Sequence, residues 1–182
     1  ASDHKFGWLS MRDIIAKSSN IGAIKIAQQV GKKSFYEYIR KFGFGEKSGL
    51  PLPGESAGQL KKQKNWSDLS LASISFGHEI GVTPIQMVSA LAAIANGGNL
   101  MEPRITRALI KDGQEIESFK PKVIRRVISE KTSHQLIEIL KSAVKTGTGK
   151  KADLEGFDVA GKTGTAQKYN METHSYSKTE FI

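Results

Sequence analysis

The tripeptide Asn96-Gly97-Gly98 divides this chain into two kinds of sequence. Before it, apolar residues recur at helical spacing; after it, short strand-like runs and turn residues mix with helical pattern. In the first part, Ser10 with Asp13 predicts a helix start, with Met11, Ile14 and Ile15 on one face. A second helix is predicted from about Asn20 to Val30, stopped by Gly31. Ser34 and Glu37 have capping-box spacing and predict a short helix that Gly43 closes. Gly45, Gly49, Pro51, Pro53, Gly54 and Gly58 break any period, so 44–64 reads as a long ordered loop. Ser67 is a candidate cap for a helix through Leu71 and Ile74. Thr83-Pro84 then opens a stronger one, with Ile85, Val88, Leu91, Ala92 and Ala95 as its apolar stripe.

Past residue 100 the pattern predicts a hairpin around Asp112-Gly113, a short strand over 123–128, and a helix from Ser129 to about Lys145. Phe157–Ala160 reads as a strand running into Gly161, and 179–182 as the opening of another. The predicted class is therefore α+β, with 1–98 mainly helical and 99–182 sheet and helix.

Composition narrows the functions open to such a chain. At 182 residues it can hold one full core, or one domain and part of another. No run of 18 apolar residues occurs, and Ala1–Lys5 lacks the basic-then-apolar order of a signal peptide. Cysteine is absent, which excludes disulfides, thiolate zinc sites and thiol nucleophiles. The net charge of +9 comes from scattered pairs such as Lys32-Lys33, Lys61-Lys62 and Lys150-Lys151. Without aromatic residues interleaved to stack bases, it reads as solvated surface and not as a nucleic-acid site. His4, His78, His134 and His174 are isolated, so neither a metal site nor a cofactor is expected.

Two short motifs carry chemistry. Ser18-Ser19-Asn20 falls between two predicted helices, where a serine and asparagine cluster would by itself be read as a cap. Lys162-Thr163-Gly164-Thr165 follows an apolar strand pattern and would by itself be an exposed strand end. Together they supply S-x-N and K-T-G, two of the three motifs of serine acyl-transferases, the third being S-x-x-K. A second Lys-Thr-Gly-Thr, at Lys145–Thr148, follows an amphipathic helix and reads as its C-terminal loop.

On these motifs the chain resembles the class B penicillin-binding proteins. Further segments in family order extend the likeness over nearly the whole chain: Gly7–Ser10, Pro53–Glu55, Ser75–His78, Val82–Gln86, Ile94–Gly98 and Gly147–Ala152. The resemblance implies a helical subdomain packed on a mainly antiparallel sheet with flanking helices, incomplete at both ends. It implies a D,D-transpeptidase that cross-links peptidoglycan stem peptides through an acyl-serine and is acylated by β-lactams. Ser18 would relay protons, Asn20 would bind the substrate amide and the catalytic lysine, and Lys162 would attract the substrate carboxylate and tune Ser18. Thr163, Gly164 and Thr165 would hold the carboxylate and the acyl backbone, with the Thr165 N–H in the oxyanion hole. Implied partners are stem peptides, β-lactams, the remainder of the parent polypeptide and division or elongation proteins. The implied setting is extracytoplasmic, on a membrane-anchored parent.

The nucleophile motif belongs roughly fifty residues before Ser18, upstream of Ala1. The three Ser-x-x-Lys matches present, at Ser2, Ser142 and Ser175, occupy unsuitable places. The chain is thus expected to be an inactive internal piece of a transpeptidase. A serine β-lactamase, or a non-catalytic domain that senses β-lactams or binds peptides, are the alternatives.

Overall fold

The computed structural model describes residues 7–165, 167–170 and 175–181, the last two stretches by their backbone alone. Two compact units arise, each from separate stretches of chain.

The first unit takes in the chain up to Gln29, Leu69–His78, and the chain from Glu138 onward. Helix α1 (Met11–Ala16) starts at a full capping box: Ser10 caps Asp13, and the Asp13 carboxylate accepts from the Ser10 N–H. The Ser10 hydroxyl and N–H hold the Asp13 pKa below the ordinary aspartate value, the hydroxyl contributing most. Helix α2 (Asn20–Val30) follows almost at once. At the crossing, a Cβ on Gly22 would lie 2.7 Å from two side-chain carbons of Ile14. Only glycine lets the two helices approach so closely. Helix α4 (Ser70–Ser75) and the last turns of α6 (Glu130–Lys145) complete the helical part, with Ala16, Ala27, Ile74, Ala143 and Val144 buried. Strand β7 (Gln167–Asn170) pairs antiparallel with β8 (Ser175–Phe181).

The second unit contains α3 (Lys32–Lys41), β1 (Gln59–Leu60), β2 (Ile80–Gly81), α5 (Pro84–Ala95), β3 (Asn99–Met101), β4 (Ala108–Lys111), β5 (Gln114–Ser118) and β6 (Val123–Arg126). Its core gathers Ala93 of α5, Leu100 of β3 and Val127, with Phe42 and Ile128 against them. Fully burying a side chain the size of Leu100 or Val127 contributes about 1.5–3 kcal/mol. Gly98 makes the junction: at φ 100° its carbonyl accepts from Val127 N–H at 2.7 Å, and a Cβ would sit 2.1 Å from the Ile128 oxygen. The long loop is ordered from its polar side. Buried Gln86 donates to the carbonyls of Glu46 and Ala57 at 2.7 and 2.9 Å, while its own carbonyl accepts from Thr83 N–H. Arg125 donates to the last carbonyls of α3, Arg40 and Lys41, and pairs with Glu46, which also binds Arg40.

Most predicted elements form where the pattern put them, including the hairpin, whose Asp112 and Gly113 have φ of 51° and 77° as a two-residue turn demands. Three differ. Helix α3 begins at Lys32, directly after Gly31, so Ser34 and Glu37 lie inside it and cap nothing. Helix α4 starts three residues after Ser67. The strand expected over 157–160 does not form; pairing begins only at Gln167. An extended segment becomes a strand only with a ladder partner. The Gly161 N–H goes instead to the Leu140 carbonyl of α6, at 3.3 Å. The strands also form four separate antiparallel pairs among the described residues.

Candidate active site

Helix α1 ends in a Schellman motif. The Ser18 N–H donates to the Ile15 carbonyl at 3.1 Å and the Ser19 N–H to the Ile14 carbonyl at 2.9 Å. This places Ser18 at the left-handed position that glycine normally fills, with φ 50°. A side chain there costs about 1–2 kcal/mol. Ser19 then serves as the cap of α2, its hydroxyl accepting from the Gly22 N–H at 3.2 Å. The two adjacent serines have separate jobs: Ser19 holds the helix, and the Ser18 hydroxyl is presented from a strained joint. Asn20, the first residue of α2, is exposed, and its amide makes no hydrogen bond to a described residue.

The loop after α6 reaches this joint. The Thr148 N–H donates to the Ala16 carbonyl at 3.1 Å, at the end of α1. Gly147 makes the approach feasible, since a Cβ on it would stand 2.2 Å from that same carbonyl oxygen. The Gly149 N–H returns to the Ala143 carbonyl at 3.1 Å, closing α6. The Thr148 hydroxyl is therefore held between the two sequence motifs. Its Oγ1 lies 3.4 Å from Ser18 Oγ and 2.8 Å from Thr163 Oγ1.

Lys162 precedes Thr163, and its Nζ donates to the Thr163 carbonyl at 3.0 Å. Among the described residues no carboxylate pairs with it. Partial desolvation holds its pKa below the ordinary lysine range, although the residue keeps a solvent-facing surface. The segment leading to it is tied to α6 by Asp158, which pairs with Lys141 at 3.0 Å and Lys145 at 3.8 Å. A cation without an acidic partner among the described residues, facing solvent next to Thr163, suits an anionic ligand. Gly164 leaves open space where a Cβ would lie, and Thr165 is exposed. Among the described residues no group of His, Asp and Glu is arranged to hold a metal ion.

The structure thus joins Ser18 to Thr163 through Thr148, with Lys162 adjacent to Thr163. Thr148 is the site residue that sequence reasoning missed, because it lies in the repeat of the motif taken for a cap. The loop does cap α6. The overlooked signal is its glycine content: Gly147 brings backbone against backbone, and a hydroxyl follows at once.

Residues 2–182 match the family described as the penicillin binding protein transpeptidase domain. The chain belongs to this family. It is 40% identical over 171 residues to penicillin-binding protein PbpB of Mycolicibacterium smegmatis, covering 90% of this chain and 26% of that protein. It is 39% identical over 158 residues to stage V sporulation protein D of Bacillus subtilis, covering 86% and 24%. The crystal structure of penicillin-binding protein 3 from Mycobacterium tuberculosis with ampicillin superposes with a TM-score of 0.90 at 34% identity, over 98% of this chain and 42% of that one. The transpeptidase domain of Burkholderia pseudomallei penicillin-binding protein 3 gives 0.85 at 33% identity, over 98% and 51%. The fold is accordingly the α+β penicillin-binding transpeptidase fold. The chain spans about a quarter of the length of the curated relatives it matches.

Proposed function

We propose that this chain is part of the transpeptidase domain of a peptidoglycan D,D-transpeptidase that β-lactams acylate. The observation that carries the reading is the meeting of Ser18 with Thr163, two motifs far apart in sequence, through the Thr148 hydroxyl, with the adjacent Lys162 lacking an acidic partner among the described residues. Family membership supports it, as do the solved relatives in complex with ampicillin and aztreonam.

In this reading a serine supplied by an upstream Ser-x-x-Lys attacks the carbonyl of a D-Ala-D-Ala stem peptide. The carbonyl carbon–nitrogen bond breaks, and the departing amine takes a proton from Ser18. An amine of a second stem peptide then displaces the serine ester, completing the cross-link. Lys162 and Thr163 receive the terminal carboxylate, Asn20 the substrate amide, and Gly164 and Thr165 the acyl backbone, with the Thr165 N–H facing the oxyanion. No cofactor enters. The parent acts on the outer face of the cytoplasmic membrane, held by an anchor elsewhere in its sequence, in concert with division or elongation proteins. Among the described residues no helix is long and apolar enough to cross a membrane.

Labelling with a fluorescent penicillin tests this. The 182-residue chain alone should form no covalent adduct, whereas the parent with at least sixty further upstream residues should form a long-lived one and transfer peptide. A stable adduct on the short chain would overturn the upstream placement of the nucleophile. Rapid release of hydrolysed β-lactam by the parent would identify a lactamase instead, and an adduct without peptide transfer a sensor.

A further inference from the structure

We propose that Thr148, outside both catalytic motifs, is a positioning residue that orients the Ser18 hydroxyl for proton delivery to the leaving nitrogen. The inference rests on the acyl-transferase reading above. A hydroxyl has one proton to give and can accept two. For Ser18 to aim its proton into the cleft, its oxygen must take its hydrogen bond from elsewhere. Thr148 is the group placed to give one. Its Oγ1 stands 2.8 Å from Thr163 Oγ1 and 3.4 Å from Ser18 Oγ. When Thr163 donates to Thr148 and Thr148 to Ser18, the Ser18 proton is directed away from Thr148 and is free to point into the cleft.

The backbone around Thr148 is built for this contact. Its N–H is fixed to the Ala16 carbonyl at 3.1 Å, and Gly147 has no room for a Cβ against the same oxygen. Ser18 itself sits at φ 50°, where no rotation of its own backbone can re-aim the hydroxyl cheaply. The 3.4 Å separation is long for a hydroxyl pair and shortens with a small rotation of the Ser18 side chain, as catalytic contacts do on substrate binding.

The test uses the full-length parent and stopped-flow acylation by a penicillin, which separates the binding constant from the acylation rate constant. Thr148→Val keeps the shape and removes the hydroxyl. It should slow acylation about tenfold, the worth of one hydrogen bond made in the transition state, and leave the binding constant unchanged. Thr148→Ser should restore most of the rate. Equal rates for Thr148→Val and wild type would overturn the inference, and so would equal slowing by both variants or a weakened binding constant. If Thr148→Val loses its cooperative melting transition, Thr148→Ala replaces it with the same expectation. A wild-type parent that is not acylated at all would refute the acyl-transferase reading itself, a result separate from any difference among the variants.

Discussion

Ser18 occupies a backbone conformation that glycine would hold at lower cost. Helix termination does not need a hydroxyl there; the two Schellman hydrogen bonds form from backbone groups. The Ser18→Gly variant should therefore be more stable by about 0.5 kcal/mol, the relief of strain less the added freedom of the unfolded chain. Its parent should lose penicillin acylation. Urea denaturation and the labelling assay check the two halves, and a destabilised variant would show that the side chain supports the fold. Ser19, one residue on, shows the opposite allocation, since its hydroxyl caps α2.

Among elements, α6 organises the site. Its end is closed by Gly149, its Leu140 carbonyl takes the Gly161 N–H, and its Lys141 holds Asp158 with help from Lys145. The lysine hydrogen bond depresses the Asp158 pKa, and Asp158, then Glu138, raise that of Lys141. A carboxylate whose folded pKa is lowered contributes its stabilisation fully above its ordinary pKa and loses it as pH falls through the lowered value. The anchor should therefore hold at neutral pH, weaken in acid as pH falls through the lowered Asp158 value, and weaken in strong base as Lys141 loses its proton. Asp158→Asn should loosen it at every pH. Hydrogen exchange at the Gly161 amide reads both effects: faster exchange in the variant at pH 7 is expected, and unchanged exchange would show that the backbone bond to Leu140 suffices. Since Asp158 and Lys145 are exposed and Lys141 only partly buried, salt should mimic part of the variant's effect.

For the whole molecule, large apolar side chains remain in solvent. On α5, Met87, Val88 and Leu91 are exposed along one side, and Ile21, Leu69 and Phe157 are each about 70% exposed. The isolated chain should accordingly associate at high concentration, seen as rising weight-average mass in sedimentation equilibrium. A monomer at all concentrations would contradict this. The sequence alone specified the helices with strong end signals, such as Ser10 with Asp13 and Thr83 with Pro84, and the Asp112-Gly113 hairpin, because caps and tight turns are set by neighbouring residues. It also specified the family, because two motifs and six further segments occur in order along the chain. It could not show that residues 157–160 lack a ladder partner among the described residues, since pairing depends on what lies alongside in space. Nor could it give Ser18 its strained conformation or Thr148 its place. Those follow from α1 ending where α6 delivers its loop, a contact between residues 130 positions apart that only tertiary packing makes.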